Sequence, residues 1–301
     1  MQQNKLMIVY TACPCCNSES IASVLFARDH TVSDEIFEIW QCNDCTARFT
    51  QNFPDKSEIV KYYKSENYIS HSDTKKGFIN SLYHSVRKRT LRSKRILIEK
   101  NIGLSSGKIL DIGGGIGAFL HTMKQAGWEV TGVEPDEKAR ENAKKLYGIN
   151  LQSPKELTNL LPQTFDAITL WHVLEHVHEL HEYVSQLKKL LKPTGYLFIA
   201  VPNYTSYDAR VYKEFWAGYD IPRHLYHFSP TSIKKLLFQH GLQLNEIKPM
   251  WYDSFYVSML SEKYKTSKHN FLRSTWNGFI SNWKALFDNQ RCSSIIYIVT
   301  P

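Results

Sequence analysis

Apolar and polar positions change their period at residue 107. Before it, residues 78–101 carry Ile79, Leu82, Tyr83, Val86 and Leu91 in a partial 3.6-residue stripe, which predicts one helix that Gly103 ends. After it, short apolar runs alternate with amphipathic segments. "KILDIGGG" reads as a strand entering a glycine turn, "AFLHTMKQAG" as a helix stopped by Gly127, "WEVTGVEP" as a second strand and "EKARENAKKLYG" as a helix ending at Gly148. "FDAITLWHVL" is a longer strand, "ELHEYVSQLKKLLKPTG" a helix with a Pro-Gly stop, and "YLFIAVPN" another strand. This alternation predicts a parallel sheet with helices on both faces, and ligands in such sheets bind beyond the carboxyl ends of the strands. Further on, "SPTSIKKLLFQHG" is a capped helix, "LQLNEIKPM" a strand, residues 253–289 mostly helical and "SSIIYIVT" a closing strand. The stripe Trp276, Phe279, Ile280, Trp283, Leu286 and Phe287 has helical spacing and is expected in a core or a dimer contact rather than a substrate groove.

The first 45 residues form a separate head. Five of the six cysteines lie there, and Cys13-x-x-Cys16 with Cys42-x-x-Cys45 gives two knuckles whose thiolates suit a tetrahedral zinc ion. Cys15 could replace Cys16 or stay free. Four thiolates leave no open coordination position, so this zinc is expected to be structural.

Composition adds little against this picture. At 301 residues the chain can bury a sizeable core. No apolar run approaches the roughly 20 residues that span a bilayer, and "MQQNKLMIVYTACPCC" lacks a basic segment followed by an apolar one, so the chain reads as cytoplasmic. The net charge of +8 favours anionic partners, but six basic residues are concentrated in "RKRTLRSKR", residues 87–95. That run reads as a solvated helix face in preference to a nucleic-acid contact.

Chemistry enters at "ILDIGGGIGAFL". Gly113, Gly115 and Gly117 let the backbone turn sharply and approach a ligand between strand and helix, and Glu134 ends the next strand. A dinucleotide site has the same features. Asp111 separates the two, because a carboxylate at the strand end can orient an ammonium group.

"ILDIGGGIGAFL", "VTGVEP", "FDAITLWHVLEHV" and "LKPTGYLFIAVPN", in this order over residues 107–250, resemble the class I S-adenosylmethionine-dependent methyltransferases, particularly the ubiquinone-biosynthesis O-methyltransferase branch. The resemblance implies an α/β fold: a seven-stranded, mostly parallel Rossmann-like sheet with helices on both faces. It implies a domain spanning 107–301, a lid at 203–230 and a helical insertion at 253–289, after a zinc-ribbon-like head and connector (1–70) and a helical linker (71–106). Gly113, Gly115 and Gly117 would line S-adenosylmethionine, Asp111 would lie near its methionine end, Glu134 would hold the ribose hydroxyls, and Trp171 and His172 would complete the site. The adenine-contacting residue after the third strand has no match around "INLQSPKEL". The head with "YYKSENYISHS" also resembles the zinc-binding heads of sugar C-methyltransferases, which suggests a carbohydrate acceptor.

The same resemblance gives "LWHVLEHVHELHEY" an address at the end of the fourth strand, facing the transferable methyl group. Two mechanisms follow. In one, His176 or His172 removes the acceptor proton as a general base. In the other, His172, Glu175 and His176, spaced i, i+3, i+4, hold a divalent metal with His224 and His227 from "DIPRHLYHFSP". The second resembles metal-dependent small-RNA 2'-O-methyltransferases, although His172 stands where their motif has glutamate. His178 and His181 are expected on an exposed helix. Tyr204, Trp216, Tyr219 and Tyr226 would either stack on an acceptor ring or form the lid's own core. The expected activity is methylation of a hydroxyl on a small molecule such as a glycan, phenol or quinone precursor. RNA methylation through the ribbon and the basic run, and a non-catalytic cofactor-binding adaptor, are the alternatives.

Overall fold

Alternation of inward and outward side chains organises the N-terminal strands. The computed structural model describes residues 7–63, 78–267 and 270–301. Most of "YYKSENYISHS", and the side chains of Ile79, Leu82 and Tyr83, lie outside the described residues. The head contains β1 (Met7–Ile8), β2 (Ile21–Arg28), β3 (Ile36–Cys42), β4 (Arg48–Gln51) and β5 (Phe53–Pro54). In β3, Phe37 and Ile39 are buried at a spacing of two while Ile36 and Glu38 are not, as a pleated strand with one covered face requires. β2, β3 and β4 pair antiparallel in succession, and β1 pairs with β5. The β2–β3 loop is tied by Asp29, whose carboxylate accepts from the backbone and hydroxyl groups of both Thr31 and Ser33.

The chain continues through α1 (Phe78–Ile102), β6 (Lys108–Ile112), α2 (Ala118–Gln125), β7 (Glu129–Val133), α3 (Glu137–Tyr147), β8 (Phe165–Trp171), α4 (Leu180–Leu190) and β9 (Leu191–Pro202). It then forms α5 (Tyr207–Tyr212), β10 (Tyr226–His227), α6 (Pro230–Gln239), β11 (Gln243–Pro249), α7 (Asp253–Thr266), α8 (Phe271–Phe287) and β12 (Ser294–Thr300). Local signals explain the ends. Asp136 caps α3 and left-handed Gly148 stops it, while Ser229 and Ser232 form a reciprocal capping box on α6.

The main sheet has the order β11-β12-β9-β8-β6-β7, and β6 pairs parallel with both β7 and β8. It has six strands, not the expected seven. After α3 the segment "INLQS" makes only one parallel bridge, Val133↔Gln152, with hydrogen bonds from Gln152 N to Gly132 O (2.8 Å) and from Glu134 N to Gln152 O (2.9 Å). Pro154 has no N–H to continue a ladder and opens a short 3-10 turn, so pairing stops there.

Two compact units emerge. One comprises Met1–Tyr68, His172–Val184 and Ile199–Ile298; the other comprises Ile69–Trp171, Ser185–Phe198 and Val299–Pro301. In the first, β10 joins the head sheet beside β4, with Tyr226 opposite Phe49 and His227 opposite Arg48. Ala27, Phe37 and Ile39 of the head pack with Tyr204, Tyr212, Trp216, Tyr219 and Ile221 in one buried cluster. The segment after β9 thus spends its aromatic residues on a core shared with the cysteine-rich strands.

α7 and α8 pack through small residues. Ser254, Ser258 and Ser261 on one, and Ser274, Gly278, Ser281 and Ala285 on the other, are buried. A Cβ on Gly278 would lie 2.8 Å from Phe255 Cδ1 and 3.1 Å from its Cα, so glycine permits this close crossing. The large residues point the other way, and the Trp276–Phe287 stripe is exposed apart from half-buried Ile280. Of the two expected places for this stripe, a core or a dimer contact, the core is overturned: small side chains occupy the buried face. Among the described residues, no helix is long and apolar enough to cross a membrane.

Candidate functional site

In the second unit, the turn from β6 into α2 brings a buried carboxylate against a glycine loop. Asp111, 2% exposed, accepts a hydrogen bond from Thr169 Oγ1 of β8 at 2.6 Å. Burial pushes its pKa up to about 7, against the opposing pull of Thr169 and Lys94. Gly113 and Gly115 adopt φ of +73° and +55°, which lets the loop fold over the strand end. Glu134 stands at the end of β7, where its carboxylate accepts from Gly115 N (2.8 Å) and Asp136 N (2.9 Å) and keeps further lone pairs on both oxygens. Gly117 has a different duty: a Cβ there would meet Ala143 Cβ at 3.0 Å, so it lets α2 start against α3. At the end of β8, the Trp171 ring meets Phe119 edge-on and carries Lys94 Nζ 4.0 Å above its centroid. Its indole Nε1 is buried with no hydrogen-bond partner among the described residues.

In the first unit, Glu175, His176 and His224 each offer a ligand atom within 4.8 Å of the others. Glu175 and His176 come from one 3-10 turn, Leu174–His176, and backbone bonding fixes their partner: Leu225 N donates to Glu175 O at 2.8 Å. Head strand β4 supports the same segment, since Thr50 N donates to Leu225 O (2.9 Å) and Thr50 Oγ1 to His224 O (2.7 Å). His176 Nδ1 is 3.0 Å from the Arg223 carbonyl and from Tyr63 Oη, and His224 Nδ1 is 2.9 Å from the Gly218 carbonyl. A carbonyl can only accept, so each Nδ1 donates to it and a neutral ring keeps its lone pair on Nε2; that of His224 lies 3.9 Å from Asp220 Oδ2. Glu175 Oε2 is buried and has no hydrogen-bond partner among the described residues. Burial works against the Glu175 charge, but the hydrogen bond and positive charge of His172 hold its carboxyl below the usual range. Burial, reinforced by His224, lowers His176 to about 4.

His172 lies outside this trio. Its Nε2 donates to Asp253 Oδ2 at 2.8 Å and its Nδ1 to Glu175 Oε1 at 3.3 Å. Burial alone would depress its pKa, but the two carboxylates prevail and raise it to about 10. Its backbone has φ +59°, a left-handed conformation unusual for a non-glycine residue. His227 is also outside the trio, with Nε2 3.2 Å from Thr50 Oγ1 and burial holding it well below the ordinary value. His178 and His181 are half-buried rather than exposed: His178 packs on Phe53, and His181 lies 2.9 Å from His240.

The sequence reading missed Thr169, Lys94 and Asp253. It also missed Arg223, which is 1% exposed, is bound to Asp29 (3.1 Å) and Asp220 (2.7 Å), and supplies the carbonyl that orients His176. Each acts across a large sequence separation and belongs to no local motif. For Arg223 the only available signal was its place in "DIPRHLYH", one residue before His224.

The four cysteines converge in the head. Cys13 Sγ lies 3.6 Å from Cys45 Sγ and Cys16 Sγ 3.6 Å from Cys42 Sγ, close to the ~3.8 Å edge of a tetrahedron with Zn–S bonds of about 2.3 Å. All four sulfurs lie within 4.8 Å of one another. Cys15 is buried outside the set, and its N–H points to Cys13 Sγ at 3.4 Å. This is a zinc-ribbon-like head.

Residues 83–247, just over half the chain, match the family model described as a methyltransferase domain. The protein belongs to that family, and its class is that of the S-adenosylmethionine-dependent methyltransferases. Among curated relatives, the ubiquinone biosynthesis O-methyltransferase of Azoarcus sp. (strain BH72) is 29% identical over 170 residues, covering 52% of this chain and 72% of that one. The mitochondrial ubiquinone biosynthesis O-methyltransferase of Bos taurus is 28% identical over 169 residues, covering 50% of this chain and 45% of that one. The chain thus spans under half of the bovine relative. Among solved structures, a SAM-dependent methyltransferase from Archaeoglobus fulgidus matches with TM-score 0.45 and 20% identity, over 73% of this chain and 100% of that one.

Proposed function

We propose that this protein methylates a hydroxyl oxygen of a small molecule, with S-adenosylmethionine as donor and a divalent cation held by Glu175, His176 and His224. The reading includes domain limits at residues 70 and 106 and a structural zinc on Cys13, Cys16, Cys42 and Cys45. Asp111, Gly113, Gly115, Glu134 and Trp171 would bind the donor. The buried Asp111 carboxyl, held up near 7, suits an ammonium partner that restores its charge. Bound donor would supply an electrophilic methyl carbon, and the cation would acidify a coordinated hydroxyl.

The observation that carries the reading is the grouping of one ligand atom from each of Glu175, His176 and His224 within 4.8 Å, with each imidazole Nδ1 held by a backbone carbonyl and Glu175 Oε2 buried without a hydrogen-bond partner among the described residues. Orientation of a ligating imidazole through its other nitrogen is the usual second layer of a metal site. Magnitudes weigh against a histidine base. His176 near 4 is about six pK units below a phenol of about 10. His172 near 10, bonded to two carboxylates, is already protonated at neutral pH. It serves better as the charge that keeps Glu175 ionised. The two named relatives are ubiquinone biosynthesis O-methyltransferases, and this supports a phenolic acceptor.

The test is methyl transfer from labelled donor to a panel of catechol and sugar hydroxyl acceptors, before and after chelation. Activity should disappear with the chelator and return with Mg²⁺, Mn²⁺ or Zn²⁺. His176→Ala and His224→Ala should each lose at least about a hundredfold in turnover, the lower end of a lost catalytic group, while calorimetric donor affinity persists. Full activity in chelated, metal-free protein eliminates the cation, and wild-type turnover in His176→Ala eliminates the trio.

A further inference from the structure

Helix α8 is built inside out. Its buried positions are Ser274, Asn277, Gly278, Ser281 and Ala285, whereas Leu272, Trp276, Phe279, Trp283, Leu286 and Phe287 are between 54% and 84% exposed. The exposed set recurs at steps of three and four, one continuous stripe on one face. With large side chains contributing ~150–250 Å² each when fully exposed, the stripe presents on the order of 800 Å² of apolar surface. The largest patch on an ordinary monomer is about 300–600 Å². Beside it, α7 adds Phe255 and Tyr256.

We propose that this α7–α8 face docks on the surface of an anionic lipid bilayer. Area does not choose between a bilayer and a second copy, since a stable protein interface needs about 800 Å² per partner. Charge does. α8 contains two basic residues and no acidic one: Arg273 Nε lies 3.8 Å from Oε2 of Glu262, which is 1% exposed, and Lys284 Nζ lies 4.3 Å from the centroid of the Tyr207 ring, while exposed Lys263 and Lys265 stand at the end of α7. A two-fold pairing of this face would set basic rims of a +8 chain against each other. An anionic headgroup layer instead complements the rim, while tryptophans suit the boundary between headgroups and acyl chains. Helices packing through serine and glycine with large apolar residues outward also follow the pattern used where the surroundings are apolar. The helices lie on the surface in this arrangement, as neither is long and apolar enough to cross.

The full chain is floated through a density gradient with vesicles of phosphatidylcholine alone, or of equal parts phosphatidylcholine and phosphatidylglycerol. It should rise with the anionic vesicles only, with tryptophan emission shifting to the blue. A Trp276→Ser/Trp283→Ser variant and a Lys263→Glu/Lys265→Glu variant should each bind anionic vesicles roughly tenfold less or weaker still, with unchanged melting temperature and donor affinity. Equal flotation with both vesicles overturns the proposal, as does absence from both. So does a concentration-dependent dimer in sedimentation that the tryptophan variant abolishes while vesicle binding is missing.

Discussion

On the proposed function, Asp111 serves donor binding at a cost to the fold. Burial beneath the glycine turn favours its protonated form, with the pKa up near 7 against about 3.9 unfolded. A raised folded pKa stabilises below the unfolded value, and that contribution is lost as pH rises through 7. Asp111→Asn should therefore flatten the decline in stability between pH 4 and 7 in a urea titration series, yet weaken donor binding by about tenfold or more, as loss of a charge-assisted bond implies. Asp29 has the opposite sign. Burial works against its charge, but Arg223 and the Ser33 and Thr31 amides prevail and lower it to about 2. Its contribution, of order 2 kcal/mol, is present above pH 4 and lost as pH falls through 2. In acid titrations, Asp29→Asn should be less stable than wild type at pH 7, and the difference should shrink below pH 4. Asp111, Gly113, Gly115 and Glu134 were legible because a strand, a tight turn and the next strand end specify them within about 25 residues, the span of a βαβ phosphate-type turn. Asp29 and Arg223 were not, because their bond joins residues 194 apart.

At the scale of elements, regular spacing identified the knuckles and the helices but not what they touch. Two Cys-x-x-Cys turns announce a tetrahedral site, and the geometry assigns Cys16 rather than Cys15 to it. Cys42→Ser should lower zinc content from a single ion per chain to near zero and strip amide-exchange protection from β2, β3 and β4, measured by elemental analysis and exchange. If protection survives without the ion, the site is not what holds the head. The missing strand has a different lesson. The resemblance implied a pairing segment after α3, but Pro154 limits it to the Val133–Gln152 bridge. For α8, periodicity located the stripe correctly and gave no information on which face turns inward. Gly278 and its neighbouring serines supplied that through steric fit, which hydrophobicity does not register.

For the molecule as a whole, the alternating region from residue 107 was readable as strands and helices because each has its own start and stop residues. The candidate site was half readable. Glu175, His176 and His224 were all named in advance, yet the selection of these three from five histidine-cluster candidates depended on carbonyls and on β4, contacts made by distant segments. That dependence on β4 has a practical meaning. The strand that follows the second cysteine knuckle also carries the carbonyl of His224 on Thr50. Handling that oxidises the thiols would reach the imidazoles through two hydrogen bonds, without altering any group that meets an acceptor. An assay on air-exposed protein would then report the redox history of the preparation, and an inactive sample should have its free thiols counted before its chemistry is doubted.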